Sequence, residues 1–280
     1  MPAVLYVVDV VTETRIRAWR PEVDGVAEVF HADFAEHAYP SHTHDTWTLL
    51  IVDDGVVRYD LDRHEHGAVG RLVTLLPPHV PHDGRSVTSG GFRKRVLYLE
   101  PGQLSPELIG QAVDRPELAD AGLRRQIDRL HQSLALPGED LESQSRLALV
   151  LERLTHHLRG VPDVIEPDVI EASRPGVAAE LRGLLDASVA DGVGLGVAAR
   201  IVGVTPAHLV RTFTAAYGLP PHRYLIGRRI DLARRMLLDG ARAGEVATAV
   251  GFFDQAHLTR HFRRMVGTTP GRYVAAGDAA

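Results

Sequence analysis

Hydrophobic and polar positions follow two different periods along this chain. Up to about residue 100 they alternate in short runs: Ala3 to Val11, Thr46 to Val52, Val56 to Leu61, Leu72 to Leu76 and Arg95 to Leu99. That period predicts strands, whose side chains point to opposite faces in turn. Turn-forming residues separate the runs at Asp53-Asp54-Gly55, Gly67, Pro77-Pro78 and Gly90-Gly91, the texture of an antiparallel barrel or sandwich. Beyond Ser105 the apolar residues recur at steps of three and four, first as Leu123, Ile127, Leu130 and Leu134, then as Leu147, Leu151, Leu154 and Leu158. Two amphipathic helices follow from this, parted by Pro137-Gly138. Residues Gly160 to Gly176 hold Pro162, Pro167 and Pro175 among several acids, and read as a linker that cannot propagate a helix. From Val177 to Tyr273 the pattern is helix-forming, broken at Gly203, Gly218 to Pro221, Gly240, Gly251 and Gly267. The expected fold class is therefore α+β: a β-barrel with a helical pair over 1–160, a linker over 161–176, and an all-α domain over 177–276.

The helical region repeats itself at an offset of 49 residues. His208-Leu209, Arg211, Phe213, Gly218 and Pro221 return as His257-Leu258, Arg260, Phe262, Gly267 and Pro270, and Ala198 and Ala207 return as Ala247 and Ala256. An internal repeat is stronger evidence for architecture than local propensity. In each copy an alanine-bearing helix is followed by a short turn and a second helix, opening at Thr205-Pro206 or Asp254-Gln255, where Thr205 and Asp254 are good caps. Leu209 with Phe213, and Leu258 with Phe262, form an apolar stripe that leaves Val210 and Arg211, or Thr259 and Arg260, on the other face. This is helix, turn, helix, twice. A helix of roughly His222 to Leu238 separates the copies, with Arg228, Arg229, Arg234 and Arg235 available to phosphate or to neighbouring acids.

Charge supports a nucleic-acid partner only once the chain is divided. The 280 residues carry a net charge of −5, but residues from Gly176 onward hold 13 Arg against 8 acids, a balance of +5, leaving −10 for the rest. A basic module joined to an acidic one suits phosphate binding at one end. No cysteine is present, which excludes disulfides and thiolate metal sites. No apolar run reaches the length of a membrane span, and Met1 to Val11 lacks a basic leader with a cleavage site, so a cytoplasmic location is expected.

The stretch Ala198 to Tyr273 resembles the DNA-binding domain of the AraC/XylS family of transcription regulators. The likeness is strongest over Gly251-Phe252-Phe253-Asp254-Gln255-Ala256-His257-Leu258-Thr259-Arg260-His261-Phe262-Arg263-Arg264 and the closing Gly267-Thr268-Thr269-Pro270-Gly271-Arg272-Tyr273. The resemblance implies base contacts from Ala207, Val210 and Arg211 in the first unit and from Gln255, Ala256, Thr259 and Arg260 in the second, with Arg263 and Arg264 on backbone phosphates. It also implies double-stranded DNA and a small-molecule effector as partners, RNA polymerase as a further one, and a monomeric or homodimeric protein.

Eight of the 15 histidines precede residue 100, among them His42-Thr43-His44, His64-Glu65-His66, His79 and His82. The sequence His42-x-His44, then Gly55, Gly70, Pro77 and His82, resembles a cupin barrel. In metal-binding cupins a glutamate follows the histidine pair, and Thr46 to Leu50 supplies none. The preferred expectation is an effector pocket lined by His42, His44, Trp47, Tyr59, His82 and Arg85, with Arg85 available to a carboxylate and no cofactor required. The alternative is a divalent metal on His42, His44 and His82, and with it a metal-dependent cupin enzyme fused to the helical module. His64-Glu65-His66 is expected in a solvated turn.

Overall fold

The computed structural model describes residues 14–35, 37–87, 90–160 and 176–275. The expected strand Ala3 to Val11 and the linker residues 161–175 lie outside them. The chain divides into two compact units, one of Met1–His131 with Val150–Asp163, the other of Gln132–Leu149 with Val164–Ala280. Residues 132–149, expected with the N-terminal region, thus belong to the helical unit. The reason is apolar: Leu141, Ala148 and Leu149 pack against the cluster built by Leu195, Ala198, Leu209, Val210 and Phe213.

In the first unit the strands are β1 (Arg15–Trp19), β2 (Val26–Phe34), β3 (Ala38–His42), β4 (Trp47–Leu61), β5 (His64–Val69), β6 (Val73–Leu76), β7 (His82–Ser86), β8 (Phe92–Leu99) and β9 (Glu117–Leu118). All described pairings are antiparallel, in the order β1-β2-β8-β4-β6-β9, with β7 joining β3 to β4 and β5 on β4. The expected barrel is an open, branched sheet. The predicted turn at Asp53 to Gly55 does not break β4. Its register against β8 shifts between Val52 and Asp54, a bulge that bends one long strand. Gly55 takes φ +77°, and a side chain there would meet the Gly91 and Phe92 backbone. The predicted solvated turn at His64 to His66 is also strand, with Glu65 ion-paired to Arg58 at 3.5 Å and to Arg85 at 2.8 Å.

One face of the sheet closes over Phe34, Leu50, Val52, Tyr59, Leu61, Phe92 and Val96. After a short helix α1 (Ile109–Asp114), the helix α2 (Ala121–Leu134) buries Leu123, Ile127 and Leu130 completely, as their spacing predicts. Arg124 donates to the Val52 carbonyl at 3.0 Å, and Arg95 bridges Asp53 and Asp128 at 2.7 and 2.8 Å, tying α2 to the sheet. The next helix, α3 (Asp140–Arg159), contributes to both units.

The second unit continues with α4 (Val177–Ala187), α5 (Leu195–Val202), α6 (Pro206–Tyr217), α7 (Pro221–Leu238), α8 (Ala243–Ala249), α9 (Gln255–Val266) and α10 (Pro270–Ala275). Both predicted caps form: Thr205 accepts from the His208 amide at 3.2 Å and Asp254 from the His257 amide at 2.6 Å. Ala198 and Ala247 are wholly buried, as are Leu209, Phe213, Leu258 and Phe262. Each copy closes its own core, one around Phe213 and one around Phe262. The 18 residues of α7 span about 27 Å at 1.5 Å per residue. Gly251 has φ +91°, and a Cβ there would lie 2.0 Å from the Ala190 carbonyl, so no other residue fits this turn.

Candidate functional site

Two regions concentrate the chemistry, one in each unit. On α9 the residues Gln255, Ala256, Thr259, Arg260 and Arg263 line one open face. They stand at successive three- and four-residue steps, opposite the buried Leu258 and Phe262. Gln255, Ala256, Arg260, Arg263 and Arg264 are exposed. The corresponding face of α6 differs. Arg211 is exposed, but Ala207 and Val210 are buried, and Val210 belongs to the cluster against which Leu141, Ala148 and Leu149 pack. The expected base contacts at Ala207 and Val210 are therefore not available in this arrangement. The predicted apolar stripe on α6 is wider than Leu209 and Phe213 alone.

Arg260 is engaged. Its Nη2 lies 2.8 Å from Glu139 Oε1, the same oxygen that accepts from His261 Nε2 at 2.8 Å. Glu139 sits just before α3 with only 7% of its surface exposed. Burial opposes its ionisation, but the bonds from His261 and Arg260 outweigh it and hold the carboxyl down to about 2. His257 Nε2 lies 3.7 Å from the same oxygen. Its Nδ1 accepts the Phe253 amide at 3.2 Å, so the ring proton is on Nε2, which makes no hydrogen bond among the described residues. Burial, helped by His261, pushes His257 down to about 4. Glu139, His257 and His261 have ligand atoms close enough for a metal. Glu139 is instead taken up by the Arg260 guanidinium and by His261 Nε2, with the neutral His257 ring packed beside them.

Three of the five α7 arginines take structural partners. Arg228 pairs with Asp186 at 3.0 Å, Arg229 donates to the Val189 and Ala190 carbonyls at 2.8 and 3.2 Å, and Arg234 donates to the Tyr273 hydroxyl at 3.2 Å.

In the first unit a cavity of about 90 Å³ is lined by Tyr39, His42, His44, Thr48, Tyr59, His82, Lys94 and Tyr98, among others. His42, His44, Tyr59 and His82 were predicted there. Trp47 and Arg85 were too, and both lie elsewhere. Trp47 is 1% exposed and donates its indole N–H to the Pro101 carbonyl at 3.3 Å, while Arg85 is held on the surface by Glu65. His42 Nδ1 lies 2.7 Å from the Pro40 carbonyl and His82 Nδ1 lies 3.0 Å from that of Val80. A carbonyl only accepts, so both rings carry their protons on Nδ1 and leave Nε2 with a lone pair. His44 Nε2 lies 3.2 Å from His42 Nε2. Burial, followed by the neighbouring His82, His42 and Lys94, lowers His44 to about 4.

The three ligand nitrogens lie within 4.8 Å of one another. Count and tautomer suit a three-nitrogen metal site. The one acid in the lining, Asp83, is taken up by the Asp60 amide at 2.9 Å and lies 3.9 Å from Arg85, and the cavity also carries the cation of Lys94, which repels a divalent ion.

Comparison with known proteins decides between readings. Residues 25–151 match the family model of the AraC-like ligand binding domain, and residues 198–276 match that of a helix-turn-helix domain. The chain belongs to the AraC-type transcription regulators. Over 237 residues, 79% of this chain and 81% of the relative, it is 24% identical to the uncharacterized HTH-type transcriptional regulator YbfI of Bacillus subtilis. A putative AraC-like transcription regulator of Streptomyces lividans is 37% identical over 71 residues, 25% of this chain and 23% of the relative. Among solved structures, an AraC-type transcriptional regulator of Chromobacterium violaceum aligns with 35% of this chain and 89% of its own at 25% identity and a TM-score of 0.34. The matched family models and the curated relatives are of regulators rather than enzymes, so the AraC-type reading replaces the cupin-enzyme alternative.

For this AraC-type regulator, sequence reasoning missed Lys94, Tyr39, Thr48, Tyr98 and Glu139. Lys94 had a signal: it stands two residues from both Phe92 and Val96, so strand alternation turns it to the same buried face. Glu139 had none, since its partners are more than 120 residues away.

Proposed function

We propose that this AraC-type regulator reads its operator chiefly through the second helix-turn-helix unit. Gln255, Ala256, Thr259 and Arg260 meet base edges, Arg263 and Arg264 neutralise phosphates, and Arg211 is the base contact of the first unit. The observation that carries this reading is the shared open face of Gln255, Ala256, Thr259, Arg260 and Arg263 on α9. Arginine offers two parallel donors to guanine and glutamine pairs with adenine in the major groove, which admits one helix. Glu139 competes with DNA for Arg260, so binding exchanges a carboxylate for a base. A small molecule in the β-rich unit regulates the protein if it binds the DNA-competent and restrained states unequally. The protein works in the cytoplasm as a monomer or homodimer, with double-stranded DNA as target and RNA polymerase as partner where it activates.

Two substitutions test the assignment. Arg260→Ala is expected to cost about 1–3 kcal/mol of binding and relax selection at one base position. Arg263→Ala is expected to weaken all sequences alike and reduce the salt slope by about one. Equal losses on every sequence from both variants would remove Arg260 from base reading.

A further inference from the structure

Lys94 enters the cavity of the β-rich unit without an anion. Its side chain stands on β8 with Nζ 4.1 Å from the centre of the Tyr39 ring, and within 6.0 Å of the Phe30 and Phe92 rings. Among the described residues it makes no ion pair. Burial alone lowers its amine to about 8, with no acid acting on it. A cation held against aromatic faces gains some stabilisation, but not what a carboxylate supplies.

Two hydroxyls in the same cavity are also unmatched. The Tyr39 Oη and Thr48 Oγ1 atoms are buried and make no hydrogen bond, although Thr48 is only 5% exposed. Both line the cavity with Lys94. A buried hydroxyl without a partner loses its hydration with nothing in return, so leaving two of them beside an uncompensated ammonium points to an occupant. The surrounding groups narrow the chemistry. His44 is held neutral near pH 7, His42 and His82 turn lone pairs rather than protons inward, and Tyr59 is already donating to Glu117 at 3.4 Å. The acid Asp83, also at the wall, accepts from the Asp60 amide at 2.9 Å and lies 3.9 Å from Arg85.

We propose that the effector of this regulator carries a carboxylate that binds in this cavity, with Lys94 as its counter-ion and the Tyr39 and Thr48 hydroxyls as its donors. The volume decides its size. About 90 Å³ is roughly three water volumes, far below the several hundred Å³ of a drug-sized site. It takes a carboxylate with one to three carbons, or the acid end of a longer molecule. This deepens the effector-responsive reading above and rests on it.

The test uses full-length protein and a panel of acetate, propionate, pyruvate and lactate against acetamide and propionamide, with sodium chloride matching ionic strength. Binding is followed by thermal shift and calorimetry, and DNA affinity is measured on the same samples. At least one acid is expected to bind saturably while its amide does not. Lys94→Met should weaken that acid by roughly a hundredfold, and Tyr39→Phe or Thr48→Val by about tenfold, each variant remaining folded. Acids and amides acting alike, no acid binding, or undiminished binding to Lys94→Met would overturn the carboxylate site. If an acid binds through Lys94 but leaves DNA affinity unchanged, the site stands and its role as the effector site falls. If a neutral compound alone alters DNA affinity, effector response stands and the carboxylate proposal falls.

Discussion

Lys94 shows how a single residue can be set against the stability of its own unit. Its ammonium is partly buried without a carboxylate, and the folded state lowers its amine to about 8 from an ordinary 10.5. Between those values the unfolded chain binds the proton that the fold has released, so stability rises with pH there, and below 8 the full cost of burying the charge remains. Lys94→Met is accordingly expected to stabilise the protein by roughly 1–3 kcal/mol at pH 7, seen as a higher thermal midpoint in protein free of small acids. A lowered midpoint would mean that the ammonium is satisfied. Four of the six residues expected in the pocket line the cavity, with His42 at the end of β3, His44 just beyond it, Tyr59 on β4 and His82 at the start of β7. Sequence reasoning misplaced Arg85 because Glu65, read as part of a turn, is a strand residue that captures it.

Elements carry the restraint on DNA reading. The helix-turn-helix copies were legible in the sequence down to their caps, since Thr205, Asp254 and the Leu–Phe stripes act within a few residues of themselves. What could not be read was the approach of residues 132–149, which depends on contacts between distant parts of the chain. Those residues bring Glu139 to Arg260 on α9 and set Leu141, Ala148 and Leu149 on the cluster containing Val210 of α6. Glu139→Gln leaves a neutral acceptor for His261 and removes the charge that holds Arg260. DNA affinity is then expected to rise about fivefold at moderate salt, the worth of a partly exposed ion pair. Gel-shift titration of both proteins checks this. Unchanged or weaker binding by the variant would show that Glu139 does not compete with DNA.

For the whole molecule, the histidines set the response to acid. His44, His222 and His257 are all lowered to about 4, in each case chiefly by burial. Between 6.5 and 4 the unfolded chain takes up protons that the fold refuses, so stability falls as pH falls through that window. Below 4 the loss continues as Glu139, held at about 2, is protonated. The unfolding free energy from denaturant titrations should decline by about 2 kcal/mol or more from pH 7.5 to 4, and a flat profile would contradict the buried neutral rings. The charge division of the chain, +5 from Gly176 onward against −10 before it, is a property of the same scale and places the positive excess on the stretch that carries both helix-turn-helix units.

The most direct test is enrichment of random DNA fragments on purified full-length protein and its Glu139→Gln variant, sequenced at two salt concentrations. Two helix-turn-helix units separated by α7 should select two short motifs about 10 base pairs apart on one face of the duplex, with the sharper motif belonging to α9. Recovery of only salt-sensitive, sequence-independent fragments by both proteins would contradict the two-headed reader.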